Sequence, residues 1–364
     1  MKIAILGSRG IPVNYGGFET LAEEISTRLV KRGHDVTVYC CRPYTQDDER
    51  VYKGVKRLIL PTIRTKVLEK PVFCLFSIIH VSLNKFDIIL MLGVSVSFLC
   101  FIPRLFGKKV IINIDGLEWQ RKKWGWLVSW YLKFAERMAG DAADKVVTDS
   151  KWIKKYYKKR YGKDSIYIAY GADTIYYPPD ETLRRLGLKP DGYILYVSRF
   201  EPENNSLLVR EAYDEIASPA KKIVMVGDAP HADEYIKKVK NTRNPNIIFT
   251  GYLFGDSYKE LLSNAYFYIQ ATEVGGTHPA LVEAVGAGNC VLANDVPEHR
   301  EVLSDAGFYY SGKEDLKDKM ISLMDNDAMV REKKLKAVQR INDEYSWERI
   351  TDEYERLFCE MVNG

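Results

Sequence analysis

Short apolar runs alternating with longer segments of helical periodicity constrain this chain more than anything else in it. Only a parallel sheet covered by helices on both faces accommodates that rhythm. In the first half the order is KIAILG with a helical segment at 18–31; DVTVYC; DIILML with a helical segment toward Gly107; KVIINI with 124–139; and KVVTDS with 151–161. Between Gly171 and Gly192 the rhythm stops at a stretch holding Pro178, Pro179 and Pro190, the composition of a linker. It then restarts: YILYVS with a helix near 206–218, KIVMVG with 232–240, NIIFTG with 257–264, YFYIQA with 280–287, and CVLAND. The 364 residues exceed what one core usually serves. The chain therefore reads as α/β, with two doubly wound Rossmann-like domains at 1–175 and 190–344. Residues 345–364 are amphipathic through Trp347, Ile350, Tyr354 and Leu357, and this helix is expected to pack back on the first domain. Open sheets of this kind bind ligands beyond the carboxyl ends of their strands. Two such crevices, expected to face one another across a cleft, suit a two-part substrate.

Charge divides the halves. Residues 1–175 hold 30 Lys or Arg against 17 Asp or Glu, whereas the remainder is acidic, although the whole chain carries only +4. A basic first half favours anionic partners such as phospholipid headgroups or lipid-linked phosphates. KWIKKYYKKRYGK (151–163) and RKKWGWLVSWY (121–131) mix cations with Trp and Tyr, as surfaces at headgroup level do. No base-stacking motif accompanies them, so no nucleic-acid partner is expected. The segment IILMLGVSVSFLCFIP (88–103) is too short and too interrupted for a span of about 20 residues. It is predicted to be a buried strand, a turn at Gly93 and a buried helix. The N-terminal apolar run ends at Gly7 without a cleavage pattern and reads as a first strand. Six cysteines without a CxxC pair read as reduced core residues of a cytosolic protein.

The loop after the first strand, SRGIPVNYGGFET, places Gly16 and Gly17 directly ahead of a helix, where bare amides and a helix N-terminus favour an anion. It is neither a dinucleotide G-x-G-x-x-G turn nor a G-K-[ST] phosphate loop. Asp325-Asn326-Asp327 looks like a metal-binding D-x-D but lies between helical segments, so capping is expected there. His34, His80, His231, His278 and His299 have no zinc spacing. No metal and no cofactor are expected.

SRGIPVNYGGFET, DGLEW, SRFEPENN, and EVGGTHPALVEAVGAG with NDVPEHRE together resemble the retaining nucleotide-sugar glycosyltransferases of family 4, over nearly the whole chain. Within that family the resemblance is to bacterial rhamnosyltransferases of capsule and cell-wall polysaccharide assembly. It implies a GT-B fold and a metal-independent retaining hexosyltransferase moving L-rhamnose from dTDP-rhamnose onto a lipid-linked saccharide. It also implies a cytoplasmic enzyme, peripheral on the inner face of the bacterial plasma membrane, with the nucleotide sugar as substrate. Family members hold the donor diphosphate with the first glycine loop and an R-x-x-x-x-K pair. Arg199 matches the arginine, but Asn204 stands at the lysine position. Of the family's E-x7-E pair, Glu283 matches the second, expected on the ribose hydroxyls, whereas Gly275 stands at the first; Glu273 gives E-x9-E. Gly276 and Thr277 are expected to hold the β-phosphate, and His278 to donate to phosphate or sugar. Asp115 stands where many relatives carry a histidine and is expected to orient the acceptor hydroxyl or take its proton. Glu118 and Trp119 are expected to line the acceptor site. Asp115, His278 and Arg199 are thus the expected catalytic residues. Two other readings fit the same motifs: a UDP-hexose donor, or a membrane-associated carbohydrate-binding protein without turnover.

Overall fold

A computed structural model of the chain describes every residue except 14–15, 46, 64, 66–67, 122–123 and 230–232. Asn14 and Tyr15 of the glycine-loop motif, Lys122 and Lys123 of the basic stretch, and His231 therefore lie outside the described residues. The chain divides into two units, Met1–Tyr170 with Trp347–Gly364, and Gly171–Ser346.

The first unit is built on β1 (Lys2–Leu6), β2 (Asp35–Cys41), β3 (Val51–Tyr52), β4 (Val55–Leu60), β5 (Ile88–Leu92), β6 (Lys109–Ile114), β7 (Lys145–Thr148) and β8 (Ile166–Tyr167), in the sheet order β3-β4-β2-β1-β5-β6-β7-β8. All neighbours are parallel except β3 and β4. Helices α1 (Gly17–Lys31), α2 (Glu69–Leu83), α3 (Phe101–Leu105), α4 (Trp126–Ala142) and α5 (Lys151–Tyr161) complete its N-terminal part. Every residue of β5 is buried, as a strand covered on both faces requires. The helix expected after it is instead a 3-10 turn, Ser97–Cys100, leading into the five-residue α3. It is not buried, since Phe101 and Leu105 face solvent.

The second unit carries α6 (Glu181–Arg185), β9 (Tyr193–Val197), α7 (Ser206–Asp214), β10 (Lys222–Val226), α8 (Asp233–Lys240), β11 (Ile247–Gly251), α9 (Gly255–Ser263), β12 (Phe267–Gln270), α10 (Pro279–Gly286), β13 (Val291–Asn294), α11 (Pro297–Leu303), β14 (Gly307–Tyr310), α12 (Lys313–Met324) and α13 (Asp327–Arg340). Its six strands, ordered β11-β10-β9-β12-β13-β14, are all parallel. The proline-rich stretch does not run loose. Glu260 accepts hydrogen bonds from the amides of Asp180, Thr182 and Leu183, capping α6 from α9.

The C-terminal helix α14 (Trp347–Asn363) packs on α1 of the first unit. Its buried stripe of Trp347, Ile350, Tyr354, Leu357 and Phe358 follows a 3.6-residue period, and the Tyr354 hydroxyl accepts from the buried Asn113 amide at 2.8 Å. Arg32 meets Asp352 at 2.6 Å, Glu355 at 2.7 Å and Glu348 at 2.8 Å, and His34 lies 2.7 Å from Glu355. Arg32 holds the Glu348 carboxyl below its ordinary range, and His34 and Arg32 do the same for Glu355. Depressed carboxyl values stabilise the fold above the unfolded value and lose that contribution as pH falls through the folded one. Arg32→Ala is expected to lower unfolding free energy by about 1–2 kcal/mol at neutral pH, as a three-partner network does. Urea melts should show the deficit shrinking as these carboxylates become protonated.

Candidate functional site

In the first unit the chain leaves β1 into a loop pinned from below by its own helix. Glu19 accepts from the Arg9 amide at 2.6 Å, and Glu23 from the Val13 amide at 2.8 Å. Burial raises the Glu19 carboxyl, with the Arg9 amide opposing. The glycine this loop cannot do without is Gly10, whose φ of +113° and 2.7 Å clearance to Cys40 leave no place for a Cβ. Gly16, by contrast, is extended, and a Cβ there would make only ordinary contact with Glu19; it caps α1 through its backbone, with Gly17 opening the helix. Two amides of the motif, those of Arg9 and Val13, thus serve internal carboxylates.

Asp115 follows β6, two strands from β1. Half-buried but crowded by protein, its carboxyl is pushed up to about 6 by burial and by Glu118, with Arg121 and Lys70 opposing. Glu118 is occupied by neighbours: Arg121 Nε donates to it at 2.6 Å and Trp124 Nε1 at 3.3 Å. Trp119 packs against the core, with the Lys133 ammonium 4.1 Å from its ring centre. Glu118 thus stands near Asp115, whereas Trp119 belongs to the core packing. Lys70, at the start of α2, is a cation near Asp115 that the sequence reading passes over. Its ammonium lies 5.2 Å from the Phe18 ring centre and would sit 3.1 Å from a Cβ on Gly93, at the end of β5. It also acts electrostatically on both Glu19 and Asp115.

In the second unit Arg199 lies two residues beyond β9, partly exposed, with its guanidinium 3.7 Å from Glu201. Asn204 is buried, and its amide donates to the Arg199 carbonyl at 2.7 Å. It is therefore placed to shape the turn that carries Arg199, a different task from a lysine reaching outward. Asn205, at φ 56°, donates to Ala271 O and to Glu273 Oε1, both at 2.9 Å, and the Glu273 amide donates to Glu203 O at 2.9 Å. These bonds stitch the loop after β9 to the loop after β12. They also give Glu273 a partner within the protein. Glu203 is fully buried in the same turn, with neither carboxylate oxygen hydrogen-bonded among the described residues.

Beyond the stitch come Gly276, the buried Thr277, and His278, which caps α10. The two departures at this loop turn out to be one feature. A Cβ on Gly275 would lie 3.1 Å from Nδ1 and 3.2 Å from Nε2 of His278, and nearer still to Cε1, so the imidazole fills the space where a side chain at 275 would begin. Under it lies His299, ring centres 5.2 Å apart. Burial lowers His299 to about 4, so it is neutral, and with Nδ1 3.0 Å from Asn294 O the ring proton belongs on Nδ1. Glu283, one turn into α10, accepts from Tyr258 Oη at 2.7 Å, a second residue missing from the motif reading. Burial and the Glu283 charge push the Tyr258 phenol far up, so it stays a donor and fixes the carboxylate's orientation.

Asn326 caps α13, accepting from the Met329 amide at 3.1 Å, and Asp327 accepts from Tyr266 at 2.5 Å, which gives the Asp325–Asp327 stretch its capping role. Among the described residues no cluster of His, Cys, Asp and Glu could hold a metal ion. The six cysteines are free thiols, five of them buried. Gly275→Ala is expected to destabilise the second unit by about 1–3 kcal/mol through overpacking, and the further change His278→Ala to relieve most of that loss. Thermal melts of the four proteins of this double-mutant cycle measure the coupling.

Residues 1–173 match a domain of unknown function (DUF1972), and residues 191–326 match the family described as glycosyl transferases group 1. Over 396 aligned residues the chain is 22% identical to an uncharacterized glycosyltransferase, MJ1069, of Methanocaldococcus jannaschii, covering all of this chain and 99% of that protein. Its fold is similar to that of a sucrose-phosphate synthase from Thermosynechococcus elongatus, with a TM-score of 0.82 at 16% identity over 100% of this chain and 99% of that one. It is also similar to Anabaena HepE solved with UDP-glucose, with a TM-score of 0.79 at 14% identity over 99% and 100% of the two chains. The fold is GT-B, two Rossmann-like domains on parallel sheets, and with the group 1 match in its second half it supports a glycosyltransferase.

Proposed function

We propose that this chain is a retaining glycosyltransferase whose second unit holds a nucleotide-diphosphate sugar and whose first unit holds a lipid-linked saccharide acceptor. The observation that carries the reading is the stitched pair of loops on neighbouring strands β9 and β12. It brings Arg199, the capped start of α10 and the Tyr258-oriented Glu283 to one edge of one sheet. A carboxylate suits a ribose diol because it accepts from both hydroxyls. A guanidinium and a helix N-terminus suit the diphosphate, with Gly276, Thr277 and His278 beside it. Asn204 acts through Arg199. From the motifs, the donor is dTDP-rhamnose. A UDP-hexose is the second reading, favoured by the likeness to a protein solved with UDP-glucose.

Transfer then proceeds by front-face displacement. The bond from the anomeric carbon to the diphosphate oxygen breaks as the acceptor oxygen bonds the same face, and the acceptor proton passes to the departing phosphate. Asp115, ionised above about pH 6, accepts a hydrogen bond from the acceptor hydroxyl and orients it. Arg199 and the start of α10 take up the charge of the leaving diphosphate without a metal. The resemblance gives Gly16 and Gly17 to the donor diphosphate, Lys70 stands near the start of α1, and Glu118 and Trp119 support the acceptor saccharide. The basic N-terminal domain meets the anionic inner face of the bacterial plasma membrane, the acceptor belongs to surface polysaccharide synthesis, and no nucleic acid takes part.

A thermal-shift screen of dTDP-rhamnose, UDP-glucose and GDP-sugars should raise the unfolding midpoint with one nucleotide class, and Glu283→Gln should abolish most of that rise. In a transfer assay Arg199→Ala should lower kcat about 10²- to 10³-fold, with activity unchanged by chelator. The rate of wild type should climb through about pH 6 and level off above it as Asp115 ionises, a rise that Asp115→Asn removes together with about 10²-fold of the rate. Absence of transfer with every donor, or turnover rescued only by manganese, would end this reading.

A further inference from the structure

Helices of a water-facing α/β unit ordinarily present a polar outer face, and two helices of the first unit do not. On α2 the buried side is Phe73, Cys74, Ser77, Ile78, Val81 and Ser82, yet the opposite side carries Leu75, Phe76, Ile79 and Leu83, all exposed. No charged residue stands between Lys70 and Lys85. On α4 the exposed residues Trp126, Leu127, Trp130 and Phe134 repeat the same i, i+1, i+4, i+8 spacing, with Trp126 78% and Trp130 67% accessible. Between them α3 exposes Phe101 and Leu105, the latter 77% accessible, followed by Phe106.

The three helices are continuous. α2 packs on α3, and the Ser97–Cys100 turn contacts α2, α3 and α4. Phe98 of that turn lies edge-on to Tyr131 and against Phe134, which stacks on Trp130 at 6.3 Å between ring centres. A connected apolar surface of this kind on one unit is a contact surface rather than scattered exposure.

We infer that this platform of α2, α3 and α4 inserts shallowly into an anionic phospholipid bilayer, so that the first unit is anchored by apolar side chains and oriented by cations at their margins. The inference rests on the proposed reading only in taking the acceptor to be membrane-held. The charge pattern selects lipid as the occupant. Residues 70–114 contain a single acidic residue, Asp87, whose carboxylate accepts from the Lys2 amide, whereas Lys85, Lys108 and Lys109 border the apolar residues; the outward half of α4 adds Lys133, its acids Glu136 and Asp141 lie further along, and Arg104 pairs with Asp144 at 3.0 Å. Tryptophan and basic residues flanking Leu and Phe are the composition of interfacial helices. The strongly basic α5 contributes no exposed large apolar side chain, since Ile153 and Tyr157 are buried and Trp152 stacks on Tyr156. Cations without an inserting face give only a salt-labile attraction.

The full chain is sedimented with phosphatidylcholine vesicles containing about 30% phosphatidylglycerol, at low salt and at about 0.5 M salt. Wild type is expected to cosediment in both. The double variants Trp126→Ser with Trp130→Ser, and Leu105→Ser with Phe106→Ser, are expected to lose about tenfold or more of the partition while melting like wild type, because these side chains are already solvent-exposed. Lys154→Gln with Lys159→Gln on α5 should change it by less than about threefold at high salt. The idea is overturned by a wild type that stays in the supernatant, by apolar variants that bind as wild type does, or by binding that vanishes in salt. Light scattering that shows a dimer dissolved by the apolar variants would assign the surface to a second copy and overturn it too. The nucleotide-sugar thermal shift, recorded on the same samples, separates the two readings: vesicle binding without a donor response removes the transferase alone, and a donor response without vesicle binding removes the platform alone.

Discussion

Each sheet reverses its winding once, at β1 and β5 in the first unit and at β9 and β12 in the second, and the candidate site residues lie at those reversals or, like Asp115 after β6, one strand away. Neighbouring strands there send their chains to helices on opposite faces, so the ground between the departing loops is left uncovered, with backbone amides and helix starts around it. In the first unit the β1 loop, Gly93 after β5 and Asp115 after β6 share that edge. In the second, the Arg199 turn and the Gly275–Glu283 segment do. Parallel strands have their carboxyl ends on one side, which is why residues from far-separated motifs gather there without any contact written into their spacing.

The departures from the family's pattern acquire a physical logic at the second reversal. An outward lysine at 204 would add a charge but leave the turn's own carbonyls to be satisfied some other way; the asparagine closes the turn on Arg199 O instead. At 275 a carboxylate and at 278 an imidazole cannot both occupy the same few ångströms, so the ring at 278 leaves room for no side chain at 275. The result replaces an acidic side chain by a ring that can donate to an anion, over a second ring kept neutral by burial. Both substitutions shift the site from long, separate side chains toward short groups fixed by backbone bonds. Electrostatic stabilisation depends on such fixed groups more than on their number.

The sheet strands were legible because their apolar runs are bounded by glycine and polar turns, as in KIAILG or YILYVS, and parallel strands buried on both faces need no alternation. The helix α2 was not. PVFCLFSIIHVSL is apolar all round, so it shows no amphipathic period. With α2 went Lys70, which no motif contains. β4 was passed over for a related reason: its Arg57 is buried against Asp47 at 2.6 Å, an ion pair between residues ten apart that a hydrophobicity pattern reads as polar surface. Tyr258 was invisible because its role depends on a bond between side chains 25 residues apart, on α9 and α10. Motif residues told where chemistry belongs; the residues that orient them became visible only with the packing.

The same packing decides which cation of the first unit can answer an incoming phosphate. Glu19 and Glu23 place two carboxylates under the β1 loop, and an anion brought to the start of α1 meets their field as well as the helix's favourable one. Arg9 offsets Glu19 in part, although its guanidinium is drawn to Glu69 at 3.1 Å and lies over the Tyr44 ring. Glu23 is matched by Lys53 at 3.0 Å, away from the loop's outer side. Lys70 has no ion pair among the described residues and stands between Phe18 and Gly93, where its charge already reaches both Glu19 and Asp115. A phosphate held by Lys70 and the α1 amides would screen that ammonium from Asp115 and raise the carboxyl further. An anion bound at Lys70 and the protonation of Asp115 would therefore be linked through that side chain, which acts on Asp115 after burial, Glu118 and Arg121.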